Sequence, residues 1–323
     1  MKFLITGITG FVGPHLAKLL LEEGHTVVAL IRGSNGRQMD LLDILTAEEI
    51  DKIEWEFGDL CDLDSLITIF TKHQFDGVFH LGAQSHPPTS FKNPILTFNN
   101  NVMGSVNLMN CVERYQSENC IFHFCSTSEV YGDTCKEVGI LKETTPLSPC
   151  NPYGVSKASI DLYMQERIKN KKLNGFITRG FSHTGPRRGF NFSISSDAFQ
   201  IAKMIKKLQK KTLLIGNLKS KRVVIDVRDC VRAYYLLMIG KASGVFNVCG
   251  SEVHEMQYFT DVLLDCSGLT GVVQKVHEPF YRPIDIDIQI GDSSRLRAFT
   301  KWEPIYPIET TLNDLLKYWV KKL

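Results

Sequence analysis

Two kinds of apolar pattern alternate along the first 180 residues. Compact apolar runs at 2–6, 26–31, 53–57, 77–81, 121–126 and 175–178 read as strands buried on both faces. Between most of them the apolar residues fall at helical spacing, as Leu16, Leu19, Leu20 and Leu21 do after the first run. Strands alternating with helices predict an α/β fold, a doubly wound parallel sheet with right-handed crossovers and helices on both faces. A ligand then belongs at the carboxyl ends of the strands. Past residue 180 the pattern changes: Gly185-Pro-Arg-Arg-Gly189 is followed by a helix and by short strands at longer intervals. This predicts a smaller α/β substrate lobe. The 223–231 stretch reads as a strand and helix returning to the main sheet, so the expected division is 1–180 with 221–248 for the main domain and 181–220 with 249–323 for the lobe.

Composition narrows the function classes. At 323 residues and 43% apolar the chain has ample core for such a body. Lys plus Arg exceed Asp plus Glu by 37 − 35 = 2. There is no overall field to recruit nucleic acid or a membrane surface, and anionic ligands must be caught locally. The nine cysteines form no CxxC pair and no Cys/His cluster at metal-ligand spacing, so no metal is expected. Buried thiols in a reducing compartment and the lack of a bilayer-length apolar stretch or a cleavable leader predict a soluble, cytoplasmic protein.

Candidate chemistry begins at Gly7-Ile-Thr-Gly10-Phe-Val-Gly13, a G-x-x-G-x-x-G turn between the first strand and the first helix. Glycines there let the backbone approach phosphate oxygens, while the helix start offers free N–H groups and the positive end of its dipole. Gly7, Thr9, Gly10, Phe11, Val12 and Gly13 are therefore expected to hold a dinucleotide. An NAD site usually carries an acid at the end of the second strand; this chain has Ile31-Arg32-Gly33-Ser34. A cation beside a hydroxyl suits a 2′-phosphate, which favours NADP over NAD. Asp59 and Leu60 are placed to meet the adenine edge, and Leu81 and Ala83 follow the fourth strand on the same rim.

Tyr153 and Lys157 stand four residues apart, on one face of a helix. An ammonium near a phenol favours phenolate, which could take a hydroxyl proton as hydride leaves the same carbon. Thr127, in Ser126-Thr-Ser-Glu129, would hydrogen-bond the same substrate oxygen.

On these residues the chain resembles the extended short-chain dehydrogenases/reductases acting on nucleotide sugars, with an NAD(P)-binding Rossmann domain. Within them it is most similar to the GDP-mannose 4,6-dehydratases, with the GDP-4-keto-6-deoxymannose reductases close behind. The resemblance runs nearly end to end. It rests on Ser126-Thr-Ser-Glu129 with Val-Tyr-Gly132, on Pro186-Arg-Arg-Gly-Phe-Asn-Phe192, on Gly216-Asn-Leu-Lys-Ser-Lys-Arg222, and on Tyr281-Arg-Pro283 before Ile290-Gly-Asp292. Ser128 in place of an Asp resembles the GDP-mannose branch rather than the dTDP-glucose branch.

The resemblance implies a lyase. Oxidation at C4 acidifies the C5 proton, Glu129 removes it and helps protonate the departing C6 hydroxyl, and hydride returns to C6. It also implies that Arg187 and Arg222 grip the diphosphate of a GDP-sugar with Arg282 beside the nucleotide, as guanidinium forks suit phosphate. Asn217 and Leu218 would lie near guanine and ribose, Asn191 and Phe192 along the lobe wall, and Ser85, His86, Ser128 and Ser182 near the sugar. Ser182 replaces a usual Asn, and Pro87-Pro88 replaces polar residues, changes compatible with a larger sugar such as a GDP-manno-heptose. The expected assembly is a homodimer through a four-helix interface formed by the helix at 101–113 and the one bearing Tyr153. A tetramer is the alternative, set against it by a loop after Arg32 shorter than the family's. A reductase or GDP-sugar 4-dehydrogenase/epimerase would use the same Tyr153 and Lys157 with no base at C5. A non-catalytic dinucleotide sensor would typically lose that pair.

Overall fold

A computed structural model describes residues 1–33, 37–280 and 286–323. Its main sheet is built from seven parallel strands: β1 (Lys2–Thr6), β2 (Thr26–Ile31), β3 (Glu54–Phe57), β4 (Gly77–His80), β5 (Ile121–Thr127), β6 (Gly175–Gly180) and, after three lobe strands, β10 (Gly244–Val248). In space they run β3-β2-β1-β4-β5-β6-β10. The order reverses beside β1, and the crevice outside β1 and β4 is where such a sheet offers a ligand site.

The apolar runs are strands because both of their faces are covered, except at β3, which against expectation lies at the sheet edge with Glu54 and Phe57 exposed. On one side Phe3, Ile5, Val27 and Ala29 pack with Leu16 and Leu20 of the helix Val12–Glu22 and with Leu237 of the helix Val227–Ile239. On the other, Leu4, Val28, Phe122 and Ile177 meet Leu66, Phe70, Leu108 and Met164 from the helices Leu63–Lys72, Gly104–Tyr115 and Pro152–Lys169. A buried fork ties β5, β6 and the last of these helices together. Arg179 donates Nε to Asp161 Oδ2 at 2.9 Å and Nη2 to Oδ1 at 2.8 Å, and Ser126 Oγ donates to Oδ2 at 2.8 Å. Leaving either charge buried without its partner costs about 3–5 kcal/mol, so this fork fixes how the helix Pro152–Lys169 sits on the sheet.

The helix at 101–113 starts later than its spacing suggests, at Gly104, and runs to Tyr115. Before it, Asn99–Met103 forms a wide π turn. Asn101 explains the register: Gln84 N donates to its Oδ1 at 2.8 Å and its Nδ2 donates to Gln84 O at 3.0 Å, which binds the turn to the loop after β4.

The lobe holds strands β7 (Ser182–Thr184), β8 (Thr212–Ile215), β9 (Lys221–Asp226), β11 (Val253–Glu255), β12 (Val273–Val276) and β13 (Ile288–Gln289). One expectation is overturned here. Strand β9 does not rejoin the main sheet; it pairs with β7, β11 and β13. The return is made by the helix Val227–Ile239 and β10. Helices Ser193–Ile205, Met256–Ser267 and Ile308–Lys322 close the lobe around Ala198, Ile201, Phe259, Leu263, Leu315 and Trp319. Among the described residues no helix is long and apolar enough to cross a membrane.

Candidate active site

A cleft of about 1000 Å³ follows the carboxyl ends of the main strands and continues under the lobe. Its floor is the turn after β1. Gly7 has φ +77°, and a β-carbon on it would lie 2.8 Å from Gly82 N; one on Gly13 would lie 2.4 Å from Ile8 Cα. Turn, helix and neighbouring strand approach so closely there that no side chain fits. The helix that follows starts at Val12 with no side-chain cap, leaving its first N–H groups for a ligand. These features fit a dinucleotide pyrophosphate. Thr9, Gly10 and Phe11 line the same floor, Arg32 stands exposed at the end of β2, and Asp59, Leu60, Leu81 and Ala83 complete the rim. Ser34, expected beside Arg32, lies outside the described residues.

The carboxyl end of β5 and the start of the Tyr153 helix supply the reactive groups. Thr127, Ser128, Glu129, Tyr153 and Lys157 all face the cleft. Asn151 organises two of them: its Oδ1 accepts Gly154 N at 2.8 Å, capping the helix, while its Nδ2 donates to Glu129 Oε2 at 2.7 Å. Lys157 is buried, donates Nζ to Cys125 O at 2.7 Å and sits 4.6 Å over the Phe124 ring. Burial draws its ammonium down to about 8. The phenol departs from expectation. Burial is the largest influence on Tyr153 and raises it well above its ordinary value, while a hydrogen bond with Thr127 and the charge of Arg188 pull it down. Ser126, adjacent to Thr127, belongs to the structural fork instead.

On the lobe side, Ser85, His86, Ser182, Asn191, Asn217 and Arg222 line the cleft. His86 Nδ1 is bonded to Thr89 Oγ1 at 2.9 Å and its ring meets the Phe192 ring edge-on at 5.5 Å. Arg222 reaches the cleft while donating Nη1 to Lys221 O at 2.9 Å and Asp287 O at 3.2 Å. Leu218 packs with the lobe core rather than in the cleft lining. Arg282 and its neighbours Tyr281 and Pro283 lie outside the described residues.

Arg187 is the site residue whose placement differs most from expectation. It is not part of the cleft lining; its guanidinium donates to Thr9 O and Asp40 O, each at 3.3 Å, and to Gly10 O. Its φ of 74° turns it back over the glycine turn. Arg188 faces the cleft instead, stacked 3.5 Å from the Phe192 ring and 4.8 Å from the Phe11 ring. An arginine doublet gives no sequence signal for which member turns inward. Also unforeseen are His183, stacked on Phe11 at 5.8 Å, and Asp197, a buried carboxyl on the lobe helix that burial pushes up to about 7. His15 Nε2, bonded to Pro186 O at 3.0 Å, ties the glycine-turn helix to the Pro-Arg-Arg turn.

Residues 4–315 match the family model described as GDP-mannose 4,6 dehydratase. The human GDP-mannose 4,6 dehydratase is 30% identical over 97% of this chain and 90% of its own length. The chain spans 60% of the length of the Sordaria araneosa GDP-mannose 4,6-dehydratase sdnI, also 30% identical. A GDP-6-deoxy-D-mannose reductase from Pseudomonas aeruginosa is 28% identical over 100% of this chain and 98% of its own. Among solved structures, RMD from Pseudomonas aeruginosa complexed with NADPH superposes with a TM-score of 0.82 at 27% identity, over 99% of each chain. With a glycine turn, a Thr/Glu pair and a Tyr/Lys pair meeting in one cleft and a match over nearly its whole length, the chain belongs to the GDP-mannose 4,6-dehydratase family.

Proposed function

We propose that this protein is an NADP-dependent lyase that converts a GDP-sugar, GDP-mannose or a GDP-manno-heptose, to its 4-keto-6-deoxy form. The observation that carries the reading is Glu129, held by Asn151 on the same cleft wall as Thr127 and Tyr153. A 4-epimerase or a ketone reductase needs no base for C5; an elimination does. Bound NADP would supply the acceptor for hydride from C4 and, once reduced, the donor of hydride to C6. Tyr153 accepts the C4 hydroxyl proton, Thr127 orients that oxygen, and the Lys157 charge favours the phenolate. Glu129 removes the C5 proton, the C6 hydroxyl leaves as water with that proton from the same carboxyl, and a proton matching the one Tyr153 took from the C4 hydroxyl returns to C5 as hydride reaches C6. Arg32, exposed at the end of β2, is assigned the 2′-phosphate of NADP. Arg222, Asn217, Asn191, Ser182, Ser85 and Ser128 form the wall proposed to hold the GDP-sugar.

The test is the mass of the product. Loss of one water with no net change in nicotinamide absorbance supports the lyase; stoichiometric oxidation or reduction of the nicotinamide would replace it with a reductase or dehydrogenase. Comparing GDP-mannose with GDP-manno-heptose assigns the sugar. Activity is also expected to fall as pH rises through about 8, where Lys157 loses its proton and the phenolate its counter-charge. A kcat/KM profile flat to pH 10 would remove Lys157 from that role.

The cofactor is assigned to residues 1–180 with 227–248 and the nucleotide sugar to 181–226 with 249–323, since β9 belongs to the lobe sheet. A homodimer is part of the proposal. Ile95, Met103 and Leu162 are exposed at 77%, 52% and 56% on the neighbouring segments 94–103 and 152–169, an apolar face suited to a copy of itself. Sedimentation at the monomer mass would contradict it. A cytoplasmic location accords with nine cysteines that are all free thiols; recovery from an exported fraction would oppose it.

A further inference from the structure

On the lobe side of the cleft, the lining combines apolar surfaces with a buried acid that has few partners. Met256, Pro279 and Phe280 offer the apolar surfaces, and Gly216 keeps that side narrow: a β-carbon on it would come within 3.3 Å of Phe280 Cβ. Asp197, in the second turn of the helix Ser193–Ile205, lines the same cleft although its residue is 4% exposed. Its Oδ2 accepts the Thr260 hydroxyl at 2.8 Å. No donor among the described residues meets Oδ1, and no cation is among the influences on the group. A carboxylate so deeply placed, facing a ligand cleft with an oxygen to spare, is costly unless a ligand brings donors to it.

We propose that Asp197 reads the Watson–Crick edge of the guanine base and so sets the nucleotide specificity of the substrate. This inference rests on the GDP-sugar reading of the cleft. Guanine presents two adjacent donors on that edge, N1–H and the N2 amino group, which match a carboxylate that has only a hydroxyl for company. Uracil presents one N–H between two carbonyl oxygens. Guanine's donors favour the ionised form of Asp197 that burial opposes, and that form repels uracil's oxygens, so the same group that favours guanine disfavours uracil. The two halves of the cleft thereby divide the work: chemistry beside Tyr153, and base identity on the lobe helix about which the reactive groups carry no information.

The chemistry gives a test that a merely structural carboxyl would not pass. Xanthine keeps N1–H and replaces the N2 amino donor with a carbonyl acceptor. In Asp197→Asn, the amide oxygen can keep the Thr260 bond while the amide N–H turns to the cleft, where it repels the guanine amino group and donates to the xanthine carbonyl. Titrating the purified protein with GDP, XDP and UDP by calorimetry, the wild type is expected to favour GDP over XDP by about 10- to 100-fold, the worth of one charge-assisted bond. Asp197→Asn is expected to reverse that order, and Asp197→Ala to erase it. A wild type that binds GDP and XDP equally overturns the assignment without any variant. Guanine-selective wild type with an unchanged GDP-to-XDP ratio in both variants also overturns it, yet leaves the GDP-sugar reading intact. Equal binding of GDP and UDP by the wild type overturns both.

Discussion

Glu129→Gln is expected to bind NADP normally and to lose at least 100-fold, and up to about 10,000-fold, of its water-eliminating activity, the range for removing a positioned acid–base group. The amide keeps the size of the carboxyl and can still meet Asn151, whose Nδ2 donates to Glu129 Oε2 at 2.7 Å, by presenting its oxygen. It cannot take the C5 proton. Oxidation at C4 is untouched by the change, so a single turnover is expected to leave reduced nicotinamide and a 4-keto sugar that still carries its C6 hydroxyl. Mass and absorbance of the stopped mixture check both halves. Dehydration at the unaltered rate would remove Glu129 from the reaction and with it the distinction between this enzyme and a 4-epimerase.

Tyr153→Phe acts one step earlier. With the phenol gone, nothing at that position can accept the C4 hydroxyl proton, and Thr127 is left to orient an oxygen that stays protonated. Burial holds the phenol above its ordinary range, and Thr127 and Arg188 counter that, so the group depends on neighbouring donors and charge to ionise. The variant is expected to show no reduced nicotinamide in a single turnover and a loss of similar size in overall rate. Its fold should hold, because the backbone N–H of Tyr153, not its hydroxyl, makes the 3.1 Å bond to Ser90 Oγ. A wild-type burst of reduced nicotinamide from the phenylalanine protein would assign the base elsewhere.

Together the two variants separate the stages: one stalls before the ketone forms, the other after. A reductase misread as a lyase would respond to the tyrosine change and stay indifferent to the glutamate one.

Much of this site is legible in the chain because its chemistry is local. Gly7 and Gly13 are neighbours in a turn where the backbone itself meets the ligand, and Tyr153 and Lys157 share a helical face by virtue of spacing alone. The motif Thr127-Ser-Glu129 closes a strand, and a strand end in a parallel sheet opens toward the crevice. Five of the six strand runs are readable for a related reason: strands covered on both faces are apolar almost without interruption, and this is a property of adjacent residues, whereas the edge run at 53–57 carries Glu54 and Glu56 and is half-exposed.

Other features depend on partners far along the chain. Strand β9 looks like any buried strand, and its membership in the lobe sheet is settled by β7, β11 and β13, up to 67 positions away at Gln289 against Arg222. Which arginine of the 187–188 pair faces the cleft follows from the left-handed backbone at Arg187 and from carbonyls at Thr9 and Gly10, about 178 residues earlier. Asp197 carries no motif; only the packing of its helix against Thr260 leaves one oxygen turned to the cleft. Short-range periodicity and turn chemistry thus specify the sheet, the glycine cradle and the reactive pair, whereas long-range contacts choose among equivalent side chains, because a charge or a strand edge has no fixed direction until distant segments surround it.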